Sequence, residues 1–129
     1  MSSNTQDLLK RGGFSYECHD DMRMDLASAL AEDPGCWSDM RATLERIRRG
    51  SCRSDDWLAP LDRNHADIGE VKRRIRKRLY RLYVHAPRSA PGVLYLLHFA
   101  WKPAGARGLA VQDGQIDEAS RRLVEMLSR

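Results

Sequence analysis

Three stretches, Glu70-Val-Lys-Arg-Arg-Ile-Arg76, Leu79-Tyr-Arg-Leu-Tyr-Val-His-Ala86 and Val93-Leu-Tyr-Leu-Leu-His-Phe-Ala-Trp-Lys102, decide the fold. In the first two, apolar and polar residues alternate with a period of two, as in strands with one buried face. Val71 and Ile75 point one way, together with Tyr80, Leu82 and Val84 of the next stretch. The third is apolar on both faces, which places it centrally in a sheet. Arg76-Lys77-Arg78 joins the first pair. Pro87-Arg-Ser-Ala-Pro91-Gly92 joins the second and has the residues a hairpin turn uses.

Upstream, Phe14-Ser-Tyr16-Glu-Cys18 reads as a short half-buried strand after a loose start that ends at Gly12-Gly13. Met22, Leu26, Ala29 and Leu30 share a helical face behind Asp20-Asp21, a capping pair. A second helix follows, with Asp33 as cap and Pro34 in its first position. Trp37, Met40, Leu44 and Ile47 form its apolar stripe, and Gly50 is its stop. Residues 51–69 are irregular around an apolar plug, Trp57-Leu58-Ala59-Pro60-Leu61. Residues 103–114 read as a Gly/Ala loop, and Ile116, Ala119, Leu123 and Leu127 mark a last helix. The expected order is β-α-α-β-β-β-α in one domain, residues 1–129, with residues 1–13 flexible. The expected class is α+β: a small antiparallel sheet packed on an N-terminal αα-hairpin and a C-terminal helix, one face left open to a partner.

The charge is uneven. Residues 1–64 carry 9 basic and 12 acidic side chains, residues 65–129 carry 13 and 6. Arginine dominates the basic set, which suits phosphate and equally fits a genome rich in arginine codons. No apolar run is long enough to cross a membrane, and no basic-then-apolar leader is present. Three cysteines without a C-x-x-C pair disfavour a disulfide framework and a zinc ribbon, and fit a reducing cytoplasm. His19 beside Asp20 and Asp21 reads as a helix start, not as a metal site.

The segments that follow one another here carry a resemblance. Asp25–Leu30, Trp37–Arg46, Leu58–Leu61, Ile68–Lys72, Tyr80–Val84, Val93–Lys102 and Ile116–Leu123 together resemble the RelE/ParE toxin superfamily, most of all its HigB-like and phage-derived members. The resemblance covers nearly all of the chain after residue 13. It implies the RelE-like fold and a type II toxin that cuts mRNA on the ribosome. It also implies a cognate antitoxin partner, with any oligomer forming through that antitoxin. Cleavage would be by the RNA 2′-hydroxyl, with no metal and no other cofactor. The ParE branch shares the fold and acts on gyrase, so a non-catalytic interaction protein is the alternative. The chain departs from the family pattern in the loop after Pro103 and in offering no Tyr or His in its last helix.

The stretch Lys72–Arg81 has seven basic residues in ten and no acid, an electrostatic footprint for nucleic acid. Alternation places Lys72, Arg74 and Arg76 on one face, beside Arg81, Tyr83 and His85. Cleavage by a 2′-hydroxyl needs a base, a cation for the phosphate oxygens and an acid for the leaving 5′-oxygen. Arg81, Arg74 and Lys72 are the candidate cations, Lys72 also a base, and Glu70 and His85 the candidate acid/base groups. Arg73, Arg76, Arg78, Lys102 and Arg107 would line the RNA path, and Tyr83 would stack a base. Each has a plainer reading. The basic run also guards an edge strand, Glu70 pairs with an arginine, His85 is a solvated hairpin residue, and Tyr83 packs on its neighbour strand. His98 reads as a hydrogen-bonded core histidine. A DNA-binding regulator is disfavoured: Arg41, Arg46, Arg48 and Arg49 share their helix with Asp39 and Glu45.

Overall fold

The computed structural model describes residues 4–53, 55–58, 67–103 and 108–129. Its elements run α1 (Asn4–Arg11), β1 (Ser15–Cys18), α2 (Met22–Glu32), α3 (Cys36–Arg48), β2 (Trp57–Leu58), β3 (Gly69–Ile75), β4 (Arg78–His85), β5 (Val93–Pro103) and α4 (Gly108–Leu127). The class is α+β. The sheet has the order β1-β5-β4-β3-β2, with β2 a two-residue edge.

The sheet is mixed, not antiparallel: β1 runs parallel to β5, with Ser15 opposite Val93 and Cys18 opposite Leu96. Between β1 and β5 the chain runs through α2, α3, β2, β3 and β4, a connection long enough for parallel pairing. β5 lies inside the sheet, between β1 and β4, although the middle strand is β4. The apolar character of β5 on both faces comes from a bulge. Tyr83 pairs with His98 and Val84 with Leu96, leaving Leu97 as the extra residue. One residue out of step resets the alternation. Leu94 and Leu96 before it, and Phe99 and Trp101 after it, all face the same core, whereas Leu97 packs on the other side.

That larger core lies between the sheet and α1, α2 and α3, and contains Phe14, Met40, Leu44, Ile47, Val71, Tyr80, Leu82 and Val84. Burying such side chains contributes about 1.5–3 kcal/mol each. Trp57, from the expected plug, packs against it, and residues 59–61 lie outside the described set. The start of the chain is not loose: α1 buries Thr5, Leu8 and Leu9. Its first turn is tied down as well, Thr5 Oγ1 donating to Asp67 O at 2.8 Å and accepting from the Ala86 N–H at 2.8 Å. Gly12 permits the following turn, because its φ is +73° and a Cβ there would sit 2.6 Å from the Gly50 nitrogen.

Two cap expectations change. Asp21 makes no side-chain cap bond; instead its N–H donates to His19 Nδ1 at 3.0 Å. Asp33 is extended and α3 starts two residues beyond Pro34, with Gly35 as its cap. The Asp33 carboxylate is taken by Arg76 at 2.5 Å and the Tyr80 hydroxyl at 3.4 Å, so it joins the helix pair to the β3–β4 turn.

The face expected to be open is covered. α4 begins at Gly108, inside the expected loop, and lies across β4 and β5. Ile116, Ala119 and Met126 form a second core there with Ile68, Tyr83 and Leu97. Leu127, expected on that stripe, is 53% exposed, and Arg122 is buried in its place. The molecule therefore has three layers, with α1–α3 on one side of the sheet and α4 on the other.

Candidate nucleic-acid interface

The strand pair does bring the basic run together. Lys72 lies opposite Arg81 and Glu70 opposite Tyr83. Alternation puts these four, with Arg74 and His85, on the face away from Val71 and Leu82. What α4 does to this row decides its chemistry.

Glu70 is fully buried and forms an ion pair with Arg81, Oε2 to Nε at 3.3 Å, both side chains out of solvent. Tyr83 is fully buried too; its hydroxyl donates to Gln115 Oε1 at 2.9 Å, and its ring stacks on His98 with centroids 6.1 Å apart. Burial, and then the Glu70 charge, push the Tyr83 hydroxyl far above the ordinary phenol range. Tyr83 is therefore a packing residue, not a platform for a base. His85 is also buried. Its Nδ1 sits 2.9 Å from the Asp67 carbonyl and 3.4 Å from the Asp67 carboxylate, beside α1. It is not a solvated hairpin residue and does not meet the cations.

The remaining members separate as well. Arg73 points to the helical side and donates to Thr43 Oγ1 at 3.4 Å. Arg76 occupies the turn with φ +56° and pairs with Asp33, so it leaves the row it was expected to share with Lys72 and Arg74. Arg78 donates to Glu32 at 3.0 Å and lies 3.9 Å from the centroid of the Trp101 ring, a cation–π contact. The backbone of Lys102 pairs with Leu79; its side chain, like Arg107, lies outside the described set.

Lys72 and Arg74 are the exception. With Asp55, Asp56, Arg73 and Leu79 they line a groove of about 390 Å³. Arg74 is exposed and Lys72 half-buried. Neither has a carboxylate partner among the described residues, whereas Asp56 is committed to Arg46 and to the Arg53 N–H. Lys77 adds an exposed cation at the turn. The groove can hold a phosphate. The expected acid and base groups, Glu70 and His85, are held elsewhere.

Sequence reasoning missed the best-built polar cluster. Arg122 of α4 forms a two-pronged pair with Asp25 of α2, at 2.6 and 3.0 Å, and also donates to Leu97 O at 3.0 Å. The same carboxylate accepts from the Phe99 N–H at 3.0 Å and meets His98 Nδ1 at 2.9 Å. His98 is thus the bonded histidine expected. Burial pushes the Asp25 carboxyl up, but the bonds from His98, Arg122 and Phe99 outweigh it, and the net is a value below the ordinary one. The legible signal was Arg122 standing between Ala119 and Leu123 on the apolar stripe of α4.

His19, Asp21 and Glu125 converge with ligand-capable atoms within 4.8 Å of one another. Arg121 already bridges the two carboxylates, at 3.5 and 2.6 Å, and His19 uses Nδ1 for the Asp21 N–H. The cluster is a helix junction held by Arg121, which also pairs with Glu118 at 2.6 Å. The thiols are unsuited to nucleophilic work: burial pushes Cys18 and Cys36 up, and Cys52 up to about 11.

No helix among the described residues is long and apolar enough to cross a membrane. No family model matches the chain, and no curated protein and no solved structure matches it either.

Proposed function

We propose that the chain is a RelE/ParE-like, toxin-type protein that grips an RNA backbone with Lys72 and Arg74 of the β3–β4 hairpin. The observation that carries this reading is their freedom from carboxylate partners among the described residues, while Arg73, Arg76, Arg78 and Arg81 are engaged by the chain itself. The element order supports it: β-α-α-β-β-β-α recurs from β1 onward, with α1 and β2 added.

In its finer form the reading is a ribosome-dependent mRNA endonuclease blocked by a cognate antitoxin that covers the hairpin. Lys72 would then take the 2′-hydroxyl proton and return it to the leaving 5′-oxygen as the P–O5′ bond breaks and a 2′,3′-cyclic phosphate forms, while Arg74 would neutralise the phosphate oxygens. The burial of Glu70, Tyr83 and His85 favours the second form, a protein of the same kind that binds without cutting.

Induced expression, with growth and mRNA integrity followed together, separates the two. Growth arrest with cuts in translated mRNA, lost in Lys72→Ala/Arg74→Ala, supports the endonuclease. Arrest with intact mRNA supports the non-catalytic form. RNA affinity equal in wild type and the double variant would overturn the placement of the grip.

A further inference from the structure

A second set of cations stands where α1 and α3 end, on the side of the sheet opposite α4. α1 and α3 end against each other there: the Gly13 N–H donates to Arg48 O at 2.7 Å, and a Cβ on Gly12 would strike the Gly50 backbone. The crossing brings Lys10 and Arg11, both exposed, to the end of α3 that carries Arg48 and Arg49. Arg53 follows in the chain, and Arg41 lies two turns back on α3.

The acid that argues against a basic face on α3 is neutralised. Glu45 is bound by Arg48 at 2.8 Å. Its carboxyl is held below the ordinary range by the Arg48 hydrogen bond first, with the charges of Arg48, Arg49 and Arg41 adding to the effect. Among the described residues the side chains of Arg11, Arg41, Arg49 and Arg53 have no carboxylate hydrogen bond or ion pair, although the Arg53 backbone N–H donates to Asp56 at 2.9 Å. Helix-end electrostatics accounts for cations in a last turn. It accounts for Arg48 and for Arg49, the C-cap of α3, but not for Arg41, in mid-helix, or for Arg53, past the cap.

We propose that this α1–α3 junction is a second nucleic-acid contact, gripping a backbone segment other than the one on the β3–β4 hairpin. The inference rests on the nucleic-acid reading above and deepens it. Lys72 and Arg74 sit on the α4 side of the sheet and the junction on the opposite side. A short extended strand meets one surface at a time, whereas a folded RNA presents two backbones at once. The partner fitted is therefore a structured RNA.

The test measures binding of a labelled RNA stem-loop and of a short oligouridine strand at several salt concentrations. The proteins are wild type, Arg11→Gln/Arg49→Gln, Arg11→Lys/Arg49→Lys and Lys72→Ala/Arg74→Ala. Each lost phosphate contact lowers the salt slope by about 0.7–0.9, so Arg11→Gln/Arg49→Gln should lower it by about 1.4–1.8. At about 0.15 M salt that is roughly a 15–30-fold loss of stem-loop affinity. The lysine pair should retain most of the binding, which excludes a folding defect. Stem-loop affinity unchanged in the glutamine pair, with loss in Lys72→Ala/Arg74→Ala, would overturn the junction and leave the hairpin standing. The reverse pattern would support the junction and overturn the hairpin grip. Binding of polyglutamate through the same arginines, without RNA binding, would overturn both in favour of an acidic protein partner, and no binding of either polymer would overturn both outright.

Discussion

Replacing Asp25 by asparagine removes the charge on which α2, β5 and α4 converge. Arg122 is only 7% exposed, so it would keep its charge in a site that no longer neutralises it. Breaking one partner of a buried pair costs about 3–5 kcal/mol. Glu118 still holds Arg122 Nε at 2.7 Å, which puts the expectation near the lower end, about 3 kcal/mol. For a domain of this size that is roughly a 10–15 °C fall in Tm. The pH dependence has a definite sign. The folded-state pKa of Asp25 lies below its ordinary 3.8, so its contribution is present above that value and lost as pH falls through the lower folded value. Melts followed by circular dichroism between neutral and strongly acid pH should show the gap between wild type and Asp25→Asn narrowing in that acid window. Adding Arg122→Met to Asp25→Asn should recover part of the loss, because the stranded charge goes too. A fall of Tm no larger than that of the exposed control Asp20→Asn, or a gap constant with pH, would refute the reasoning.

Gly12 and Gly13 make a matched pair, both with φ near +72°. Gly13→Ala should cost about 1 kcal/mol, the left-handed penalty alone, whereas Gly12→Ala meets the backbone at 2.6 Å and should cost at least twice as much by chemical denaturation. Tyr83→Phe should cost about 1 kcal/mol for its lost bond to Gln115 and leave RNA affinity unchanged; a large affinity loss without destabilisation would restore Tyr83 to the interface. Lys72→Ala/Arg74→Ala should change stability by less than about 0.5 kcal/mol while weakening RNA binding more than tenfold; a thermal shift without a binding change would make the two residues structural.

Strands β3, β4 and β5 were legible because Val71, Ile75, Tyr80, Leu82 and Val84 alternate over enough residues to reveal a period. The bulge was hidden: an extra Leu97 among leucines leaves no mark in an apolar run. α1 was missed because eight residues between a polar start and two glycines read as a tail, although Thr5, Leu8 and Leu9 share a helical face. The early start of α4 was missed because Gly108 and Gly114 are turn residues by propensity, and packing on the sheet overrides propensity. That last point scattered the candidate site. Alternation correctly placed Lys72 and Arg74 beside Arg81, Tyr83 and His85, while Arg76, expected with them, is taken by the turn. Whether such a face meets water depends on what lies over it, and the strands themselves carry no record of that.

The pairing of β1 with β5 has a consequence for the order of events during synthesis. Strand partners Ser15 and Val93 lie far apart along the chain, and β5, held between β1 and β4, is the last strand of the sheet to be made. Contacts so distant along the chain must close large loops before they return any stabilisation. Until β5 leaves the ribosome, β1 has no partner, and Leu8, Leu9, Met40 and Leu44 lack the strand that completes their core. α4 follows β5 and seals the second face last. A nascent chain halted before Val93 leaves this core incomplete and is aggregation-prone, and the fold is committed only once β5 can reach β1.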